Sequence, residues 1–247
     1  MSRRMKYGFT IIELTLAMAF ISVLLISIVL VSIQAGKMYN RGIILRGVNQ
    51  AGRDIDTVMR QDFLQTDSRQ IYKDDSGESV ITVSNVVEGV SEPINGRLCL
   101  GSYSYVWNTP KMIDNEGGDY NDAMVTLDGS PINFVRVVDP TAQLCDKNAE
   151  GAYPNTLDTF SDGITHLLKM PDSDGEVVLA IHSLALSPVA TDENQSEGLY
   201  RINMTIGTSK MSEINTADQS CKPPEDGESN FEFCAINQFD TIVRTNG

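Results

Sequence analysis

The sequence predicts an α+β protein: one long N-terminal helix, part transmembrane and part amphipathic, packed on an antiparallel β-sheet domain. Three observations carry this expectation. The run Phe9–Ile33 is apolar and holds one charge, Glu13. From Gln34 to about Asp67, apolar residues recur at helical spacing. Beyond Thr66, β-branched and aromatic runs are bounded by Gly, Pro, Asp and Asn, the punctuation of strands and turns.

Residues 1–8, MSRRMKYG, read as a short basic leader. Residues 9–33 follow as a transmembrane helix. At ~1.5 Å per residue they span roughly 37 Å, enough for a hydrocarbon core of ~30 Å. Arg3, Arg4 and Lys6 precede the helix, which predicts a cytoplasmic N-terminus and a domain on the far side of the membrane. An ordinary secretory signal peptide has an apolar core of only ~7–15 residues, and a twin-arginine signal is less apolar than this run. An uncleaved signal anchor with an incidental glutamate is the stronger competitor.

Glu13 is the informative residue, because an ionisable group inside a membrane segment is costly and marks function. It lies one helical turn after Phe9. A cut after Gly8 would put a free amine at the depth of this carboxylate. Between staggered copies of the helix, Glu13 of one could meet the amine of the next, and such a pair is a better device for register than for stability.

Residues 34–67 predict an amphipathic continuation of the helix. Met38, Ile44, Val48, Ala51, Ile55, Val58, Met59 and Leu64 form its apolar face. Gly36, Gly42, Gly47 and Gly52 interrupt it, each at ~1 kcal/mol against alanine. They mark either close packing or a segment that bends or unwinds during assembly. Residues 68–247 form the globular domain. Strands are expected at 79–87, 97–107, 132–138, 177–184 and 199–207, a short helix or turn at 159–170, and a strand or helix at 231–245.

The motif Gly8-Phe9-Thr10-Ile11-Ile12-Glu13-Leu14, after a basic leader and before an apolar run, resembles the prepilin motif of type IV pilins and type II secretion pseudopilins. The resemblance covers residues 1 to about 60. It implies cleavage between Gly8 and Phe9 by a prepilin peptidase on the cytoplasmic side, N-methylation of Phe9, and a role for Glu13 in subunit assembly. It also implies a pilin-like fold. One departure stands out: no proline lies between Phe9 and Gly89, where many major pilins carry one in the second half of the apolar helix. The glycines of residues 34–67 are the candidate substitute for it.

The chain has 19 basic and 33 acidic residues. Such a domain does not bind nucleic acid through a general basic surface, which leaves only a local patch at a filament tip. Cys99, Cys145, Cys221 and Cys234 point to disulfides in an exported domain. Three pairings are open, and Cys221–Cys234 with Cys99–Cys145 is favoured. No C-x-x-C occurs, and His166 and His182 are remote from the cysteines, so zinc is not expected. They read instead as surface or half-buried residues of strands or turns. Asp114, Glu116, Asp119 and Asp122 form an acidic loop, as do Asp172, Asp174 and Glu176. Neither string fits the EF-hand spacing. Both are read as solvated turns, with calcium a weak candidate and no other cofactor expected. Trp107, Tyr103 and Tyr105 read as core and cross-strand packing rather than a ligand groove.

No catalytic motif is present, so an enzyme is not expected. The resemblance and the size of the domain imply a minor pilin or minor pseudopilin that helps initiate or cap a pilus or type II secretion pseudopilus. Its partners would be other pilins or pseudopilins, the prepilin peptidase, an inner-membrane assembly platform and, before assembly, membrane lipid. Its place would be the cytoplasmic membrane and then a filament at the cell surface. A tip adhesin or DNA-uptake pilin is one alternative. An unprocessed single-pass anchor carrying a binding or enzymatic domain is the other.

Overall fold

The computed structural model describes residues 10–71, 83–85, 94–114, 123–149, 151–168, 177–191, 198–215, 219–223 and 231–246. Helix α1 runs unbroken over Ile11–Gln65. At ~1.5 Å per residue it is about 82 Å long. It stops where Thr66 turns extended and returns its hydroxyl to the Asp62 carbonyl at 2.8 Å. Asp67 then caps a short 3-10 turn, Ser68–Gln70. Helix α1 passes through all four glycines as helix, and close packing, one of the two uses expected for them, is found at Gly52 against Phe239.

The strands are β1 (Val83–Asn85), β2 (Asn95–Leu100), β3 (Tyr103–Asn108), β4 (Thr126–Leu127), β5 (Ser130–Pro131), β6 (Phe134–Val138), β7 (Ile164–Leu168), β8 (Leu179–Thr191), β9 (Gly198–Thr208), β10 (Ile214–Asn215), β11 (Ser220–Cys221) and β12 (Ile236–Arg244). A short helix, α2 (Pro110–Ile113), follows β3. Five strands form one antiparallel sheet in the order β1-β2-β3-β6-β7, and three form another in the order β12-β9-β8.

Several expectations are corrected here. The run 97–107 is not one strand but the β2–β3 hairpin, because Gly101 adopts a φ of 56°, a left-handed conformation that favours glycine and turns the chain. The segment 159–170 is a 3-10 turn, Asp158–Gly163, feeding strand β7 rather than a helix or turn alone. The undecided segment 231–245 is a 3-10 turn, Phe231–Phe233, and then strand β12. Of the expected strand 79–87, the described residues 83–85 are β1. Strands β8 and β9 are longer than expected.

Only the C-terminal half of α1 enters the core. Ile44, Val48, Gly52, Ile55, Met59, Asp62 and Phe63 are buried at steps of three and four residues, the spacing of one helix face. Met38 and Leu64 are exposed instead of buried, and Phe63 was not among the expected core positions. This face packs with Leu98, Tyr105, Trp107 and Phe134 of the five-stranded sheet, and with Leu184, Ile202, Met204 and Val243 of the three-stranded sheet. The other face of the five-stranded sheet is covered by a separate cluster, in which Val106, Val135 and Val137 meet Val125, Leu144 and Leu157. Both faces being covered explains why every residue of β2 is buried.

Candidate functional site

The candidate site is the free end of α1. Gly8 and Phe9, the expected cleavage and methylation positions, lie outside the described residues. Thr10 is the N-cap. Its backbone N–H donates to Glu13 Oε2 at 2.9 Å, and its hydroxyl donates to the same oxygen at 3.0 Å. The Glu13 N–H returns a bond to the Thr10 hydroxyl at 3.3 Å. This is a reciprocal capping box. It satisfies donors that a helix start leaves open. Both bonds to the carboxylate fall on Oε2, so Oε1 accepts none among the described residues.

The surface of this end is bare. From Ile11 to Asn40 every residue is exposed, and the most apolar window of α1 has a mean hydropathy of 2.9 with none of it buried in the domain. The chain thus carries one N-terminal helix long and apolar enough to cross a membrane. Its hydroxyls are turned inward to the helix backbone. Thr15 donates to the Ile12 carbonyl, Ser22 to Met18, Ser27 to Val23 and Ser32 to Ile28, all within 3.0 Å. Such bonds let Ser and Thr sit in hydrocarbon without an unsatisfied donor. Glu13 is then the one ionisable group of the apolar stretch Ile11–Ile33.

Below this end, α1 is fastened to the domain at four levels. Nearest the apolar stretch, Lys37 Nζ lies 4.0 Å from Glu232, and the Arg41 guanidinium stacks 3.7 Å over the Phe231 ring. Next, Asn237 Nδ2 donates to Asn49 Oδ1 at 2.6 Å, and Phe239 packs on Gly52. Arg60 then reaches the Thr241 hydroxyl. Deepest is a buried pair. Asp62, on the helix, accepts from Arg136 Nε at 2.6 Å and Nη2 at 2.7 Å, and from the Tyr105 hydroxyl at 2.5 Å. The Arg136 guanidinium also covers the Tyr103 ring at 3.5 Å. Burial, and then Asp62, push the Tyr105 hydroxyl well above its ordinary value, and the Asp62 hydrogen bonds raise Arg136. Both groups therefore stay protonated across the physiological range.

The cysteines pair as Cys99–Cys145 and Cys221–Cys234. The first ties β2 to the loop covering the far face of the larger sheet. The second holds the Phe231–Phe233 turn to β11. The C-terminal end is anchored too, with Thr245 bonded to Ser68 and Gly198 and the Asn246 N–H donating to the Thr66 carbonyl.

The other candidates do not converge. Asp114 Oδ2 accepts from the Met211 N–H at 2.8 Å. Its companions Glu116, Asp119 and Asp122, and the second acidic loop, lie outside the described residues. Among the described residues no group of three or more His, Cys, Asp or Glu is placed to hold a metal. His166 is exposed on β7. His182 is half-buried on β8, bonded to the Thr208 carbonyl at 3.0 Å, and burial lowers its pKa. Trp107 and Tyr105 are core residues around Phe134, with Trp107 edge-on to it.

Two features escaped the sequence reading. Thr10 carries a local signal, Thr-x-x-Glu ahead of an apolar run. Asp62 carries none, because a carboxylate on a polar-looking helix gives no sign that a strand will bring an arginine to it. No protein-family model matches this chain, and no curated protein or solved structure matches it either.

Proposed function

We propose that this chain is a filament subunit of the type IV pilin and type II pseudopilin kind, in a minor role that initiates or caps assembly. The observation that carries the reading is the bare apolar end of α1 with one carboxylate in its first turn. It joins the motif around Gly8 and Phe9. A helical stretch such as Ile11–Ile33, which buries none of its apolar surface in its own domain, needs a bilayer or other helices around it. Before assembly, the span from Phe9 to Ile33 holds the subunit in the cytoplasmic membrane. In the filament the same surface packs against neighbours.

Glu13 has a defined part in this. Its Oε2 caps the subunit's own helix at Thr10, which fixes the carboxylate in place. Its Oε1 remains for the amine of an incoming subunit. An ionised carboxylate offers about four acceptor positions, so one group can serve both. The clamp of Asp62, Tyr105 and Arg136 makes stalk and domain one piece, so a register set at Glu13 is passed to the domain. Two disulfides fit an oxidising compartment and support a domain outside the cytoplasm. They carry the orientation better than the basic leader does, because Lys37, Arg41 and Arg46 flank the other side of the span. The chain acts in this reading as a structural subunit, not an enzyme.

The test is Glu13→Ala in cells that assemble the filament. The variant should reach the membrane in normal amount and fail to enter filaments. Normal incorporation would refute the role. A second reading draws on the capping box itself: a glutamate already engaged by Thr10 can be a helix cap and nothing more. The chain is then an uncleaved single-pass anchor displaying a binding domain.

A further inference from the structure

The two disulfides sit in different surroundings. Cys99 and Cys145 are both buried, in the cluster on the far face of the larger sheet. Cys221 is half-buried, on the two-residue strand β11, which pairs with the equally short β10. Its partner Cys234 is fully buried. Thiol–disulfide exchange needs a thiolate to reach a sulfur, so access decides which bridge opens. Of the four cysteines, Cys221 is the one that is not buried.

The Cys221–Cys234 bridge also bears on the stalk. Residues 34–43 of α1 are exposed apart from a half-buried Arg41, and the Phe231–Phe233 turn touches this neck at Arg41 and Lys37. Just past the turn, Cys234 crosses to β11, and the Ala235 carbonyl accepts from the Thr208 N–H at 3.0 Å. With the bridge open, Ala235 remains as the backbone tether at this end. The turn's own grip on α1 is then a stacked ring and an ion pair at 4.0 Å, both weak in water.

We propose that Cys221–Cys234 is a redox latch on the neck of the stalk. A dithiol opens it while Cys99–Cys145 stays closed, and the turn then lets go of Arg41 and Lys37. A thiolate of the dithiol attacks Cys221 Sγ, and Cys234 leaves as a thiolate and takes a proton. The second thiol of the dithiol then displaces Cys221, which is protonated in turn, and the dithiol departs as a disulfide. Two electrons and two protons pass to the bridge. The oxidised chain holds its domain against the neck, and the reduced chain frees that part of the stalk. The latch stands independently of the filament reading.

The full chain in detergent micelles tests this. It is reduced with dithiothreitol, alkylated with iodoacetamide without denaturant, and mapped by peptide mass. Phenylglyoxal, which modifies accessible guanidinium groups, reports on Arg41, with exposed Arg46 as the reference. The expected result is alkylation of Cys221 and Cys234, an intact Cys99–Cys145 bridge, and a rise in the Arg41-to-Arg46 modification ratio over the untreated chain. Cys234 is buried in the folded chain, so its alkylation itself requires that end of the turn to move. Alkylation of Cys221 without Cys234, or an unchanged Arg41 ratio, would show that the turn holds without the bridge and would overturn the latch. Alkylation of all four cysteines together, or of none, would overturn the selectivity on which the latch depends.

Discussion

Asp62 brings a carboxylate from the helix into the core, where Arg136 and Tyr105 converge on it from two strands. The arrangement tolerates no half-measures, because removing the carboxylate leaves a cation and a hydroxyl without their partner in low dielectric. Breaking a buried pair costs about 3–5 kcal/mol. Arg136 keeps a side-chain exposure of 20%, so Asp62→Ala should cost about 3 kcal/mol, the lower end of that range. Chemical unfolding of the detergent-solubilised chain measures it, and a loss below about 1 kcal/mol, the worth of a surface pair, would deny the clamp. Glu213 makes the opposite case. It is buried with Oε2 lacking a partner among the described residues, and burial, then the neighbouring Asp114, raise its pKa against the pull of Lys210. A carboxyl raised in the folded state supports the fold fully only below about pH 4, its unfolded value, and that support is lost as pH climbs through the folded value. Glu213→Gln should therefore melt higher than the parent chain at pH 7 to 8 and no higher at about pH 4. An equal gap at both pH values would contradict this. At this scale the sequence was readable for Glu13, whose setting is local. It was not for Asp62, whose partners come from distant strands, nor for Glu213, whose burial and nearness to Asp114 are set by the tertiary fold.

Helix α1 separates two uses of glycine. A Cβ on Gly52 would lie 2.1 Å from the Phe239 ring of β12, whereas among the described residues, the helix's own backbone aside, nothing stands within 4 Å of one on Gly42 or Gly47. Gly47→Ala should thus stabilise the helix by about 1 kcal/mol from propensity alone. Gly52→Ala should destabilise by about 1–3 kcal/mol, because the Phe239 ring must be displaced to admit the methyl group. The opposite signs are the check, read from thermal melts of the two variants, and stabilisation by Gly52→Ala would show that β12 does not lean on that glycine. The helix itself was legible from end to end, since its apolar run and its periodicity are local properties. The four glycines were not separable in sequence, because closeness to Phe239 is decided by how β12 folds back. The β2–β3 hairpin was hidden for a similar reason: Gly101 sits in one long run of strand-forming residues, and only its positive φ shows the turn.

Across the whole molecule, the helix is a stalk with its lower half built into two sheets and its upper half bare. The α+β class was readable from the apolar run and the spacing of apolar residues, whereas the sequence left three cysteine pairings open, of which the favoured one is formed. The division into a five-stranded and a three-stranded sheet was not, because strand order depends on pairings between distant segments. The chain-entropy model assigns about 4 kcal/mol to the Cys99–Cys145 closure and about 3 kcal/mol to Cys221–Cys234. A Cys99→Ala/Cys145→Ala chain should therefore lose more stability than a Cys221→Ala/Cys234→Ala chain. The reverse order in denaturant midpoints would show that the far-face loop is held mainly by its apolar contacts with β3 and β6. The bare stalk, in the reading proposed above, is a processed filament core. The mass of the N-terminal peptide, taken from the protein in its native membrane where a prepilin peptidase is active, bears on this without any intermediate step. The expected peptide begins at N-methylated Phe9. A chain that still begins at Met1 or Ser2 would contradict the filament role and leave a membrane-anchored domain in its place.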